Sequence, residues 1–545
     1  MKTYNRRSFI DFLGKGTVGV AVLPSFIACG DDKKISAEKG DKKTIKKEFE
    51  NPFIALTPSD KDEVLLSKGL SYDLLIKWAD EISNKDYFGF NCDYILYNPI
   101  QGSNDGILWV NHEYIDRQFI SGNMPPNIDS IRREQYNVGG SLMRVLKNKE
   151  DKWSVAIGDE FNRRVSGQTE IPFNWDEEIA GAKSGIGTLG NCAGGKTPWG
   201  NILTCEENYQ GFYGETVYDE NDNPSHAESS LGWENFFPDN KPEHYGWVVE
   251  VNPRTGEAQK HIALGRFCHE CATVKELPDG RVVVYSGDDG NDRCLYKFIG
   301  SRPQSLKEGT LYVANVEEGK WISLNYNDQP ILQEKFKNQT EVLVRAREAS
   351  YLVGGSKLAR PEDIEIDPVT GNILVSLTNN TSKDDYFGQI FKLVENDNNY
   401  ESLEFESDTF LAGGEEMGFC CPDNMEFDVA GNLWFTSDVS GGSMHKEPYT
   451  NFKNNGLFFV PRRGKDAGKV IRVASAPTDA EFTGPKFTPD GKTLFLSVQH
   501  PGEYSEGMDG LTSHWPEGGD SVPKSAVITL QGEALDYIAQ FKLED

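Results

Sequence analysis

The sequence predicts an all-β fold, a six-bladed β-propeller with extended loops, and three observations carry that expectation. Hairpin turns of one chemical type recur along the chain. The second strand after each turn runs into residues that bind cations or protons. Turn-forming and aromatic residues abound, with 54 Gly and 26 Pro, while long runs of helical periodicity are scarce. The turns are Asp105-Gly106, Asp279-Gly280, Thr370-Gly371-Asn372, Ala430-Gly431-Asn432 and Asp490-Gly491, with Trp199-Gly200 the odd member. Asp-Gly and Gly-Asn between alternating strands are the strongest local hairpin signal. The hairpins stand roughly 60 to 95 residues apart, and periods of that order mean radial or solenoidal repetition. A propeller accounts for the repetition, because it brings equivalent strand ends from all blades to one axial mouth.

In chain order the strand ends read Asn111-His112-Glu113 after ILWV, Glu206-Glu207-Asn208 after NILTC, and Asp288-Asp289 after RVVVYSG. They continue with Asn379-Asn380 after NILVSLT, Asp438 after NLWFTS, and His500 to Glu503 after TLFLSVQ. Several first strands also begin with acids: Glu270 in RFCHECATV, Glu362 and Asp363 in RPEDIEID, Asp423 in CPDNMEFD and Glu481 in AEFTGPKF. Glu270, Glu362 and Asp423 each stand four positions before an inward apolar residue, Val274, Ile366 and Phe427, which places them on one strand face. Like charges gathered that closely cost stability unless cations neutralise them, so a multinuclear metal site is expected at the mouth.

Composition sets the outer bounds. At 545 residues several domains are allowed, but propellers exceed that prior as single units. The formal net charge of −29 excludes nucleic-acid binding, since the chain lacks the cationic excess a phosphate backbone requires. At the N-terminus Arg6-Arg7-Ser8-Phe9-Ile10 precedes a weakly apolar, Gly-containing stretch from Gly14 to Ile27, the pattern of a twin-arginine export signal. Phe26-Ile27-Ala28-Cys29 resembles a lipoprotein box with Phe in place of the usual Leu, so lipid attachment at Cys29, the sole expected membrane contact, stays open. The expected organisation is a signal segment over 1–29, a charged flexible linker over 30–50, and a monomeric propeller domain over 51–545, exported to a periplasmic or membrane-anchored location.

Beyond Cys29 the cysteines are Cys92, Cys192, Cys205, Cys268, Cys271, Cys294, Cys420 and Cys421. In an exported chain they suggest disulfides, with Cys205 and a neighbour, or Cys268 and Cys294, as pairs. The gap in Cys268-His269-Glu270-Cys271 suits zinc, but no second such pair completes a structural site. Cys192 lies in GTLGNCAGGKTPWGNILTCEEN, where glycines on both sides let backbone approach a ligand and the following strand returns Glu206 and Glu207 to the same mouth. Carboxylates alone suit calcium or magnesium, whereas a thiolate added to them favours a transition metal such as iron. A buried Cys in a Gly-rich turn is the alternative.

GNCAGGKTPWGNILTCEEN, WVNHEY, GRFCHE, ARPEDIEIDP, CPDNMEFD and FTGPKFTPDGKTLFLSVQHPGE, with the twin-arginine leader, resemble the PhoX-type alkaline phosphatases from about Asn51 to the C-terminus. The resemblance implies a six-bladed propeller holding two ferric ions and several calcium ions, which hydrolyses phosphomonoesters outside the cytoplasm. Carried over to this chain, it implies iron at Cys192, Glu207, Glu270 and Glu362, and calcium at Glu113, Glu206, Asp423 and Glu481. The lipobox-like Cys29 departs from the family's usual pattern.

The residues agree with that implication. A phosphate ester binds to an acidic protein only where cations or arginines reverse the local sign. Arg360, two residues before Glu362, is placed to clamp phosphate oxygens in a fork; a salt bridge to a neighbouring carboxylate is the alternative. Clustered cations polarise a phosphoryl group and stabilise a leaving oxygen. His112, His269 and His500 either orient ligands, protonate a leaving group or hold turns together. Two other functions fit the same residues: a calcium-dependent propeller esterase, lactonase or phosphotriesterase, and a non-enzymatic calcium-stabilised binding propeller.

Overall fold

The computed structural model describes residues 48–122, 125–440 and 442–544. The twin-arginine segment, Cys29 and nearly all of the charged linker lie outside the described residues. Among the described residues six antiparallel sheets of four or five strands follow one another along the chain, with three two-stranded ribbons beside them. Their innermost strands are Cys92–Pro99, Asn191–Lys196, Thr273–Glu276, Pro361–Ile366, Pro422–Phe427 and Glu481–Phe487. Each next strand outward is sandwiched between neighbouring blades on both faces, and the sequence shows it: Ile202–Glu206, Val282–Gly287, Ile373–Leu377, Leu433–Ser437 and Leu494–Gln499 are buried throughout. Strands covered on both sides read as nearly continuous apolar runs, which is why these segments carry so many Val, Ile, Leu and Phe. Between the fifth and sixth blades, Trp434 packs edge-on against Phe53, Phe459 and Phe487.

Hydrogen bonds near the axis join the blades into a closed ring. Asn111 of the first blade donates to the Cys192 carbonyl of the second, and the Ala272 amide beside the third donates to Gly194 O at 3.1 Å. Thr273 donates to the Ile364 carbonyl, Met425 N to Asp363 Oδ2 at 2.8 Å, Gly484 N to Asn424 Oδ1 at 2.6 Å, and Ser497 Oγ to the Asp93 carbonyl at 2.6 Å. The last blade is completed from the other end of the chain. Strand Ser71–Lys77 pairs antiparallel with Ala526–Gln531, and the short strand Leu65–Leu66 adds to the outer edge of the fifth blade.

The hairpin expectation holds with one shift. Gly200, Gly280, Gly371, Gly431 and Gly491 all adopt the positive φ that their turns require. Gly106 instead sits within strand Asp105–His112, and the turn is made a few residues earlier around Gly102. Gly106 is needed for space, since a Cβ there would lie 2.4 Å from the Tyr97 ring. Helices are few and short; Ile128–Asn137, opened by a capping box on Asn127, contains ten residues. No helix among the described residues is long and apolar enough to cross a membrane.

Candidate metal centre

The axial side chains come from a repeated backbone device. In the first, second, fourth and fifth blades the inner strand opens with one paired residue and then breaks register: Cys92 faces His112, Asn191 faces Glu206, Pro361 faces Leu377 and Pro422 faces Ser437. In the third blade His269 forms the same opening bridge with Asp288. A bulge of this kind re-aims the side chain that follows it. Those side chains are Asp93, Cys192, Glu270, Glu362 and Asp423. One residue beyond each partner on the second strand stands Glu113, Glu207, Asp289, Thr378 or Asp438, giving a second ring. In the sixth blade Glu481 faces Gln499, and His500 follows.

These residues form a continuous run. Possible ligand atoms lie within 4.8 Å of one another in three overlapping groups: Asp93, Glu113 and Cys192; Cys192, Glu207 and Glu270; Glu270, Asp289 and Glu362. Cys192 Sγ is 3.0 Å from Glu270 Oε1. Asn208 donates to Glu113 Oε1 at 3.1 Å and also to Glu207, while Thr378 Oγ1 donates to Glu362 Oε1 at 3.0 Å. Arg360 closes the run at one end, with Nη2 2.7 Å from Glu362, Nε 3.0 Å from Asp289 and Nη1 3.3 Å from Asp438. It adopts φ +47°, a strained left-handed conformation ahead of Pro361. Both sequence readings of Arg360 meet here: it reaches the cluster, and it does so by pairing with carboxylates.

Burial without enough positive charge decides the electrostatics. Asp93 and Glu481 are pushed up to about 8, first by burial and then by the charges of Glu113 and Asp438 respectively. Glu207, Glu270, Glu362 and Asp423 are held well above the carboxylate range, again by burial first. The Cys192 thiol rises with them through burial and the neighbouring Asp93 and Glu270. Asp289 alone goes down: burial works against it, but the Arg360 guanidinium outweighs burial.

Without cations the site therefore holds protons, and the sign of the pH effect follows. A carboxyl whose folded value lies above its ordinary one stabilises the fold fully below the ordinary value and loses that contribution as pH rises through the folded one. The ordinary values are 3.8 for Asp93 and 4.5 for Glu481. Metal-stripped protein should thus melt at falling temperature between about pH 5 and about pH 9, and added calcium should restore more at the upper end than at the lower. Scanning calorimetry checks this; a melting temperature that is flat or rises over that range contradicts it.

The other expected residues are placed as follows. Asp423 and Glu481 lie within electrostatic reach of the run but outside its three close groups. Glu206 is a correction, because it does not reach the mouth. Its carboxylate meets Lys260 Nζ at 2.7 Å and the amides of Leu189, Gly246 and Trp247 at 3.2, 3.0 and 3.1 Å. Consecutive strand residues face opposite sides, so delivery of Glu207 to the axis turns Glu206 into the blade. His112 and His269 are also turned inward, each bonded to a serine hydroxyl and a backbone carbonyl. Burial holds His112 well below its ordinary value and His269 at about 3. Burial would lower His500 too, but the Glu503 charge and the hydrogen bond to Glu481 push it up to about 10.

The disulfide expectation is corrected as well, since the eight described cysteines are free thiols. Cys205 and Cys294 belong to an apolar core, and Cys268 faces Arg347 Nη2 at 3.3 Å. Cys268 and Cys271 point to different surroundings, Arg347 for one and the Glu362 carbonyl for the other, so they do not form a zinc pair. Asp93 was the member that sequence reading passed over. Its signal was available, because it stands four positions before Tyr97, as Glu362 does before Ile366.

The family described as alkaline phosphatase PhoX matches residues 51–502. The structure of Pseudomonas fluorescens PhoX in complex with vanadate, a transition state analogue, superposes with a TM-score of 0.80 at 28% identity, covering 89% of this chain and 98% of that one. A Dyadobacter fermentans protein of unknown function gives a TM-score of 0.38 at 11% identity, covering 86% of this chain and 100% of that one. The pyranose dehydrogenase PQQ domain from Coprinopsis cinerea gives 0.34 at 11% identity, covering 87% and 98%. Among curated proteins no match was found.

Proposed function

Because the chain belongs to the alkaline phosphatase PhoX family, it is a phosphatase, and we propose that it hydrolyses phosphomonoesters at the axial mouth with iron and calcium held by the buried run of acids and Cys192. Family membership sets aside the lactonase-type and non-enzymatic readings. The observation that carries the proposal is an excess of buried negative ligands with one arginine among them. Asp93 Oδ1, Glu481 Oε2 and Gln499 Oε1 are buried oxygens that meet no hydrogen-bond donor among the described residues, and buried acceptors left bare are costly unless a cation uses them. The residues therefore fit cations. Cys192, Glu207, Glu270 and Glu362 would hold iron, the sulfur favouring it, while Glu113, Asp423 and Glu481 would hold calcium through oxygen alone. Bound there, the ions supply Lewis acidity toward phosphoryl oxygens.

The chain's own residues do the positioning. Arg360 stands beside Glu362, Asp289 and Asp438, where its guanidinium fork would meet the oxygens of a phosphoryl group once Glu362 held a cation. Thr378 and Asn208 fix the orientation of Glu362 and of Glu113 and Glu207. His500, bonded at Nδ1 to the Asp479 carbonyl (2.8 Å) and at Nε2 to Glu481 (3.1 Å), holds Glu481 toward the axis. Vanadate in the Pseudomonas fluorescens protein is consistent with phosphoryl transfer as the reaction class. Export through Arg6-Arg7 belongs to the same proposal and rests on the sequence pattern, which leaves lipid attachment at Cys29 open.

The direct experiment is release of inorganic phosphate from an aryl phosphate at alkaline pH by protein purified without chelator, with elemental analysis of the same sample. Absence of both turnover and bound iron and calcium defeats the proposal. Within it, Arg360→Ala should raise KM for phosphate esters more than about tenfold, since a charge-assisted contact is worth roughly 1.5 to 3 kcal/mol. An unchanged KM would leave Arg360 a structural partner of Asp289, Glu362 and Asp438 only.

A further inference from the structure

A cavity of about 340 Å³ opens beside the cluster, and nothing in the reaction so far uses it. It borders the metal centre, because the lining residue His500 bonds Glu481 at 3.1 Å and the lining residue Tyr114 follows Glu113. Its walls are mixed: Phe90, Ile115, Phe119 and Leu231 form an apolar patch, with the Phe90 and Phe119 rings 6.3 Å apart and tilted by 37°, beside polar groups that include Tyr114, Asp116 and Glu503. Asn91 also lines it, is 1% exposed, and carries a side-chain oxygen that meets no donor among the described residues, an acceptor left without a partner.

The charge of the cavity is also set. Arg117 lines it with its charge paired to buried Glu134, Nε and Nη2 meeting the two carboxylate oxygens at 3.0 and 3.1 Å, and Nη2 also donating to the Leu231 carbonyl at 2.5 Å. His500 lies between Glu481 and Glu503, two carboxylates to one imidazole. The two bases of the lining, Arg117 and His500, are each held by a carboxylate outside it, Glu134 and Glu481, so the lining acids Asp116 and Glu503 set the charge that a ligand meets. A cavity of this size with an aromatic patch among fixed polar groups suits one small organic body.

Resting on the phosphatase reading, we propose that this cavity receives the alcohol part of the ester and selects substrates whose leaving group is a neutral, aromatic or apolar body over those whose leaving group carries a second anion. Hydrolysis forms a P–O bond to water and breaks the P–O bond to the alcohol, which takes up a proton and is left against Phe90 and Phe119. An anionic leaving group is repelled by Glu503 and Asp116, while the charge of Arg117 is already paired with Glu134.

The test compares kcat/KM for 1-naphthyl phosphate, glycerol 2-phosphate and 3-phosphoglycerate in the metal-loaded protein. Wild type should rank them in that order. Phe119→Ala should lower the naphthyl-to-glycerol ratio about tenfold through lost apolar contact. Ser230→Trp, at an exposed position on the cavity wall, should lower the same ratio by filling the space, and it guards against misfolding of the first variant. Glu503→Gln should raise the phosphoglycerate-to-glycerol ratio about fivefold. Competitive inhibition by 1-naphthol should weaken in parallel with the first ratio. Ratios within about twofold of wild type in all three variants overturn the assignment while leaving phosphatase activity standing. Wild type that cleaves none of the three esters removes the phosphatase reading and this proposal with it.

Discussion

Cys192→Ser should cost the protein its visible absorption band, most of its iron and most of its activity together, the last by at least about a hundredfold. The expectation starts from one sulfur among oxygens. Cys192 Sγ lies 3.0 Å from Glu270 and within ligand distance of two acid groups, one with Asp93 and Glu113 and one with Glu207 and Glu270. Its place is fixed by backbone, since Asn111 of the preceding blade donates to the Cys192 carbonyl at 2.5 Å and to the Ala193 carbonyl at 3.1 Å. A buried thiol beside carboxylates stays protonated on its own, so a thiolate there requires a cation. Electron transfer from sulfur to ferric iron absorbs visible light, which calcium sites do not imitate. The far-ultraviolet spectrum should not change, because the blades close through other residues. A serine variant that stays active with unchanged iron content defeats the assignment of sulfur to iron.

Removal of calcium should be equally severe and, unlike the substitution, reversible. Long incubation with a calcium-selective chelator should reduce aryl phosphate hydrolysis to background, and excess calcium should bring it back. Glu113, Asp423 and Glu481 have too few cationic neighbours to stay ionised together, and the bare oxygens of Asp93, Glu481 and Gln499 add acceptors without donors. A site that must take up protons when ions leave also loses the charge pattern that admits an anionic ester. Full activity in excess chelator after long incubation would remove calcium from the reaction.

The hairpins were legible because two local signals coincide in each, a turn residue that tolerates positive φ and an alternating or fully apolar strand. The closing strand was not legible. Ser71 pairs beside Gln531 at a separation of 460 positions, and nothing local in SYDLLIK names its partner. Within the site, Cys192, Glu207, Glu270 and Glu362 were readable from motif and spacing, and the fold brings them together. Glu206 was misplaced for a physical reason: two adjacent acids at a strand end cannot both face the axis, and only the register with Asn191 tells which one does. Asp93 obeys the spacing rule that marked Glu362, but it lies in NCDYILYN, where no second acid follows to draw attention to it.

The seam between the last and first blades sets an order of events. Ser497 reaches across it to the Asp93 carbonyl, and Gln499 reaches across it to Glu113 Oε2 at 2.7 Å, so two of the acids in the run are finished only when the two ends of the chain have met. During synthesis or refolding, five blades can stack while the ring stands open, with those acids still splayed. Pairing over such a sequence separation is the slow step of a β topology. An ion that binds only the shut ring acts as a latch, slowing the seam's reopening in proportion to how much its binding favours the closed state. The time the ring stays shut is then governed by ion occupancy at one joint, and a protein kept short of calcium should come apart there first.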